Sequence, residues 1–278
     1  MGNVALRQWA NTPPVYEPCL GVVDPACKGH GLFSRIFARA MERAREIPMQ
    51  YLFFDFVTNH DISQKLVAKY GVIDMALFVG CQSAETQAKL ERLGMGPDPK
   101  ASDRYSLLVS IIPQVEHPFG EEIELPENLG EMLAFLLDGL RVRWIPASRF
   151  SQLPAEGSFE TKLQPAQKAV IFDMAVPGRQ AVARVLAAWR ELMRGGYAYA
   201  AVEAPVGSAG MAMLYDLLAE AGFFVSGFVP YRFSDRLGLR LQSVGPTRLA
   251  FDEIRVFTPT ARRLLDVVRE SFERNAKV

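Results

Sequence analysis

The apolar segments of this chain come in one order and then come again in the same order, which restricts the fold more than any single motif does. In the first pass, "EPCLGVV" (17–23) has the run of a buried strand. Leu32, Phe33, Ile36, Phe37, Ala40, Met41 and Ala44 then recur at spacings of one, three and four, the stripe of a helix with one apolar face, and Pro48 ends it. "YLFFDFV" (51–57) reads as a second buried strand, "HDISQKLVAKYG" as a short helix stopped at Gly71, and "VIDMALFVG" (72–80) as a third strand. "AETQAKLERLG" (84–94) predicts an extra helix, "RYSLLVSII" (104–112) a fourth strand, and "PENLGEMLAFLLDGL" (126–140) a helix opened by proline. Strand, helix, strand at this spacing predicts a parallel pair of strands.

In the second pass "KAVIFDMAV" (168–176) answers the opening strand and "AVARVLAAWRELMRGG" the first helix. "YAAVEAPV" (199–206) answers the second strand, with Tyr199 at the place of Tyr51, and Gly222 stands where Gly71 stood. "DRLGLRLQ" answers "DRYSLLVS", and "DEIRVFTPTARRLLDVV" answers "EEIELPENLGEMLAFLL". The extra segment near 82–101 belongs to the first pass alone. The expectation is an α/β fold with a mixed α+β sheet, made of two tandem β-α-β-α-β-β repeats, each with a C-terminal helix. Residues 1–145 form the first and 146–278 the second, with the boundary near "RVRWIPASRFSQLPAEG" (141–157). "SFETKLQPAQKAVIFDMAV" reads as a hairpin entering the second repeat, and "NVALRQWANTPPVYEPCLGVV" as its counterpart in the first.

With 278 residues the chain can bury a sizeable core. Lys+Arg and Asp+Glu balance at 31 each, which argues against binding nucleic acid by phosphate neutralisation. No apolar run approaches the roughly 18–20 residues of a membrane helix. Cys19, Cys27 and Cys81 form no CxxC pair, so a reduced, cytoplasmic, soluble protein is expected.

The first strand and helix are joined by "DPACKGHGLF", which has three readings. A dinucleotide fingerprint would use Gly29-x-Gly31 with Asp55 as the ribose-binding acid, but Ser34 holds the third glycine's place and the turn is too long. A phosphate loop of the GxxxxGK[ST] type does not occur. The third reading is a loop for an acyl-CoA pyrophosphate. Glycines let backbone approach the anion, and free N–H groups at a helix start donate to it. The helix dipole adds about 0.3–1 kcal/mol there, and Lys28 adds a full charge.

On these residues the chain resembles the GNAT superfamily of acyl-CoA-dependent N-acyltransferases. The resemblance rests on Val23-Asp24-Pro25 after a strand, then Lys28-Gly29-His30-Gly31-Leu32-Phe33 opening a helix, in a β-α-β-α-β-β order over about residues 17–112. "TNHDISQK" is also similar to bacterial GNAT-like domains that carry Thr58, His60, Ser63, Gln64 and Lys65 in that spacing, some fused behind an ATPase domain. The resemblance implies acetyl-CoA or another acyl-CoA as cofactor, an amine acceptor, and a thioester lying where "CLGVV" and "YLFFDFV" splay apart. It implies contacts from Val22, Val23, Lys28, Gly29, His30, Gly31, Leu32 and Phe33, although Phe33 replaces a small residue and also fits the apolar stripe. Asn59 and His60, at the end of the second strand, are the candidate catalytic residues, His60 as acid or base. Asn59 and Asp61 equally suit helix capping, and Cys27 suits either a nucleophile or a small filler.

The chain departs from the family pattern in three ways. Val67 stands four residues before Gly71, where many members carry a tyrosine that protonates the leaving thiolate. The second repeat has "VPGRQAV" in place of the glycine loop and reads as a copy without a cofactor site. The family's acceptor-side elements are largely missing upstream of residue 17, so an upstream domain or a second copy of the chain is a candidate partner. Two functions follow: an N-acyltransferase, or a non-catalytic module that senses acyl-CoA or binds another protein.

Overall fold

The computed structural model describes residues 2–11, 14–27, 29–83, 85, 104–147, 152–233 and 236–275. The extra helix expected over 84–94 lies outside them, but for residue 85. The chain opens with a hairpin of β1 (Gly2–Asn11) and β2 (Pro14–Val23), so the first strand begins before the expected residue 17. Helix α1 (Leu32–Ala44), β3 (Tyr51–Val57), α2 (Ile62–Ala68), β4 (Ile73–Ser83) and β5 (Arg104–Pro113) follow. Phe37, Met41 and Ala44 carry the buried side of α1, as the stripe predicts. Helix α3 (Glu127–Leu140) buries Leu129, Leu133, Leu136, Leu137 and Leu140.

The second half repeats this order: a hairpin of β8 (Ser158–Gln164) and β9 (Ala169–Val176), then α4 (Arg179–Arg194), β10 (Tyr199–Pro205), α5 (Met211–Glu220), β11 (Phe224–Phe233), β12 (Arg236–Val244) and α6 (Pro259–Asn275). All these strands join one mixed ten-stranded sheet, ordered β1-β2-β3-β5-β4-β11-β12-β10-β9-β8. Read from either edge, the sheet gives the hairpin, the strand after the first helix, the last strand, then the one before it. The halves meet where Ala76 of β4 pairs with Gly227 of β11, each following a register shift in its own strand. A Cβ on Gly227 would lie 2.3 Å from the Met75 carbonyl oxygen, so only glycine allows this approach.

Two short strands depart from the expectation. β6 (Glu122–Leu125) and β7 (Arg143–Pro146) pair in parallel as a second sheet, on either side of α3. Residues 143–146, read as part of a boundary segment, are therefore ordered as strand. "DEIRV", expected to match "EEIEL", instead forms a short 3₁₀ turn at Phe251–Glu253. No helix among the described residues is long and apolar enough to cross a membrane.

Candidate functional site

β2 and β3 begin as a parallel pair, Val15 opposite Tyr51 and Tyr16 opposite Leu52, and there the pairing stops. β2 continues with β1 alone as far as Val23, and β3 with β5 as far as Val57. Pro18 sits just past the last pair. A proline has no N–H to give a ladder, so it suits a strand that is becoming an edge. In the second half Phe172 occupies the corresponding register, and Ala169–Asp173 run unbroken beside Tyr199–Glu203. The strands thus splay at the place where the resemblance implies a thioester.

The gap between them is a cleft of about 430 Å³. Phe33, Phe37, Phe54, Phe56, Leu66 and Val67 line it with apolar surface, and Glu17, Cys19, Asp55 and Ser63 bring polar groups. Phe33 turns away from the glycine loop into this wall. Its ring lies on the backbone of Gly21, where a Cβ would come within 2.6 Å of it, and 6.2 Å from the Phe37 ring. Val22 is half exposed and Val23 is partly buried, both beyond the last pairing with β3.

After β2 the chain turns at Asp24, which accepts hydrogen bonds from the backbone N–H of Ala26 at its carboxylate (2.9 Å) and of Cys27 at its carbonyl (2.8 Å). Lys28 lies outside the described residues. Gly29 and Gly31 both take left-handed backbone (φ 83° and 66°), and a Cβ on either would meet nothing within 4 Å. His30 is exposed between them. The first bond inside α1 runs from the Arg35 N–H to the Gly31 carbonyl (3.2 Å), and no side chain caps the helix. Among the described residues nothing accepts from the N–H groups of Leu32, Phe33 and Ser34. This open helix start has the donors an anion needs.

The second half covers the same place with its own backbone. The carbonyls of Pro154 and Ala155 accept from the N–H groups of Arg179 (2.8 Å) and Gln180 (3.0 Å) at the start of α4. A Cβ on Gly178 would lie 2.0 Å from the Glu156 carbonyl oxygen, and one on Gly210, before α5, 2.3 Å from Leu153 Cα. Segment 152–157, read as part of the boundary between the halves, lies across the starts of both helices.

The acids of the two halves differ as sharply. Asp55 is exposed on β3 and lies opposite Val109 of β5. Glu203, at the same place on β10, lies opposite Arg240 of β12, 2.8 Å away, with the two side chains 0% and 3% exposed. Arg240 also donates to Tyr199 Oη (3.1 Å), which donates to Gln242 Oε1 (3.0 Å). Burial pushes the Tyr199 phenol upward. Gln242 in turn holds β4, accepting from the Val79 N–H and donating to the Leu77 carbonyl.

Asn59 and His60 do not line the cleft. Asn59 borders a separate cavity of about 40 Å³ with Thr58, Arg104, Tyr105 and Glu253. Both amide atoms of Asn59 and the Nδ1 of His60 are buried without a hydrogen-bond partner among the described residues. The cavity has room for a water, the usual partner of such groups. Asp61 precedes α2, but its carboxylate caps nothing; it pairs with Lys65 (2.9 Å), whose hydrogen bond holds it below the usual carboxylate range. Thr58 donates to the Ser106 carbonyl, and Gln64 grips residues 255–257 through the Arg255 carbonyl and the Phe257 N–H (each 2.9 Å). Gln64, together with the Thr58 carbonyl that accepts from the Arg255 N–H (2.6 Å), fastens the second half to the first. Val67 is buried in the cleft wall, and Tyr70 packs on Phe37 (5.9 Å) outside it. Cys27 is partly buried beside the glycine loop, and Cys81 is buried with its thiol pushed up to about 12 by desolvation.

Sequence reasoning missed Pro18 as the mark of the splay, and the counterpart positions of Asp55 and Glu203. The signal for the second was present, since an acid and an arginine each interrupt an apolar strand run in the second half.

No family model matches the chain, and no curated protein matches it. One solved structure, described as a "putative phosphinothricin N-acetyltransferase", is similar over 40% of this chain with 21% identity and a TM-score of 0.31. The match spans 59% of that chain.

Proposed function

We propose that the cleft between β2 and β3 binds acyl-CoA and that the chain is an N-acyltransferase acting on an amine. The observation that carries this reading is the uncapped start of α1 after two open, left-handed glycines, next to a parallel pair that comes apart. Acyl-CoA brings an acyl group activated as a thioester. The N–H groups of Leu32, Phe33 and Ser34, with the side-chain-free backbone at Gly29 and Gly31, suit its pyrophosphate. His30 and the Lys28 charge stand beside that place in the sequence. The backbone of β2 through Val22 and Val23, released from β3, supplies the groups for the pantetheine arm and the thioester carbonyl.

In this reading the chain is two copies of one unit, 1–145 and 146–278, of which only the first keeps a site. The like order of elements and the meeting of Ala76 with its counterpart Gly227 support that. Use of acyl-CoA and cysteines that form no disulfide among the described residues fit a cytoplasmic protein.

A second reading, a module that binds acyl-CoA without transferring the acyl group, is favoured by one observation. Among the described residues no tyrosine or histidine lines the cleft, and Val67 holds the place of the usual acid. Asn59 and His60 lie outside the cleft's lining.

Calorimetric titration with acetyl-CoA tests the shared premise: saturable binding is expected, and Gly31→Glu, which puts a carboxylate at the helix start, abolishes it. No binding at millimolar ligand contradicts both readings. Thioester cleavage with a panel of amines then separates the enzyme from the module.

A further inference from the structure

We infer that the acyl group the cleft takes is a medium-length aliphatic chain rather than acetyl, and that the rings lining the cleft select it. The inference rests on the reading of the cleft as an acyl-CoA site.

Exposure sorts the lining into an apolar floor and a polar rim. Phe37, Phe54, Phe56 and Val67 are 5%, 4%, 5% and 1% exposed. Of the polar groups, Asp55 is exposed, and Glu17, Cys19 and Ser63 are only partly buried. Two pairs of rings make up much of the apolar wall. Phe54 and Phe56, two residues apart and so on one face of β3, stack with centroids 5.4 Å apart and planes 11° from parallel. Phe33 and Phe37, one turn apart on α1, lie 6.2 Å from each other.

The fold does not require these rings. In the register that sets Tyr199 on Tyr51, the second half carries Ala181, Val185, Val202 and Ala204 at the four positions, all buried. Small side chains suffice where β9 stays paired with β10. The half whose strands part surrounds the gap with aromatic surface instead.

The acyl group is the part of the ligand that meets this floor. An arm that starts at the glycine loop and follows the released backbone of β2 from Val23 toward Pro18 has its tip where β2 and β3 close again. The volume of about 430 Å³ lies in the range that encloses a small molecule, and an acetyl group fills little of it. Side chains of the floor offer a charged or hydroxylated acyl group no hydrogen bond in exchange for its lost hydration. Each methylene they bury strengthens binding about fourfold.

The test titrates acetyl-, butyryl-, octanoyl- and succinyl-CoA into the full chain by calorimetry, for the wild type, V67T and L66Q. Octanoyl-CoA is expected to bind at least about fiftyfold more tightly than acetyl-CoA, the effect of burying half of its extra methylenes. Butyryl-CoA is expected to bind about tenfold or more tightly than succinyl-CoA, an acyl group of the same length that ends in a carboxylate. V67T keeps the shape of the floor and adds a hydroxyl, and L66Q puts an amide in the wall. Each is expected to lower the octanoyl-to-acetyl ratio about fivefold or more. Equal binding of acetyl- and octanoyl-CoA, succinyl-CoA binding as well as butyryl-CoA, or an octanoyl preference that both variants leave intact overturns the inference. If the variants do not fold, the wild-type ratio of butyryl- to succinyl-CoA decides the matter. If acetyl-CoA binds and chain length changes nothing, the inference falls and the acyl-CoA reading stands; if no thioester binds, both fall.

Discussion

The two halves share an order of elements but do opposite things at the same place. In the first, β2 leaves β3 at Pro18, the start of α1 is bare, and Asp55 faces a cleft. In the second, β9 stays zipped to β10, residues 154 and 155 cap α4 with their carbonyls, and Glu203 is locked to Arg240. At the helix start, the N–H groups left open in the first half are met in the second by the carbonyls of Pro154 and Ala155. The fold therefore tolerates both solutions, and the open one is a departure that stability does not demand.

The largest expected effect tests the locked acid. Arg240→Leu leaves Glu203 buried without its counter-charge and is expected to cost about 3–5 kcal/mol. Asp55→Asn, at the matching but exposed place, is expected to cost no more than about 1 kcal/mol, the most an exposed carboxylate's contacts are ordinarily worth. Urea unfolding of the two variants reads the difference, and similar losses would break the comparison.

A smaller contrast separates the glycines. Gly178→Ala drives a methyl against the Glu156 carbonyl and is expected to cost about 1–3 kcal/mol. Gly31→Ala meets no atom and pays only for left-handed backbone, about 1–2 kcal/mol. Only the second variant is expected to weaken acetyl-CoA binding, because only its helix start is open.

The smallest effects concern the thiols. Iodoacetamide is expected to label Cys19 in the cleft and acetyl-CoA to slow that labelling, while Cys81 stays unlabelled in the folded chain. The Cys81 thiol titrates higher folded than unfolded, so its effect on stability is nil below the ordinary thiol range. Stability is lost as pH climbs from there to about 12, and Cys81→Ala flattens that part of the alkaline profile. Mass spectrometry and pH-dependent melts check the two statements.

Much of this was legible in the sequence, because long apolar runs and a 3.6-residue stripe announce strands and helices whatever surrounds them. The order of elements in both halves, the entering hairpins and the glycine loop follow from such local signals. The short strands Glu122–Leu125 and Arg143–Pro146 do not, since four residues with one apolar side chain in two carry too little pattern. The roles of Asn59 and His60 depend on which strand end faces which gap, a tertiary matter that spacing leaves open. The cap formed by residues 154 and 155 is invisible for the same reason: a backbone carbonyl has no residue type. Pro18 was readable and is the position that most separates the halves.

Hydrogen exchange with and without acetyl-CoA tests the central claim most directly. The account predicts ligand protection at the amides of residues 29–34 and along β2 at 19–23, with none at the matching residues 178–182. Protection at the start of α4, or none at the start of α1 under saturating acetyl-CoA, would contradict it.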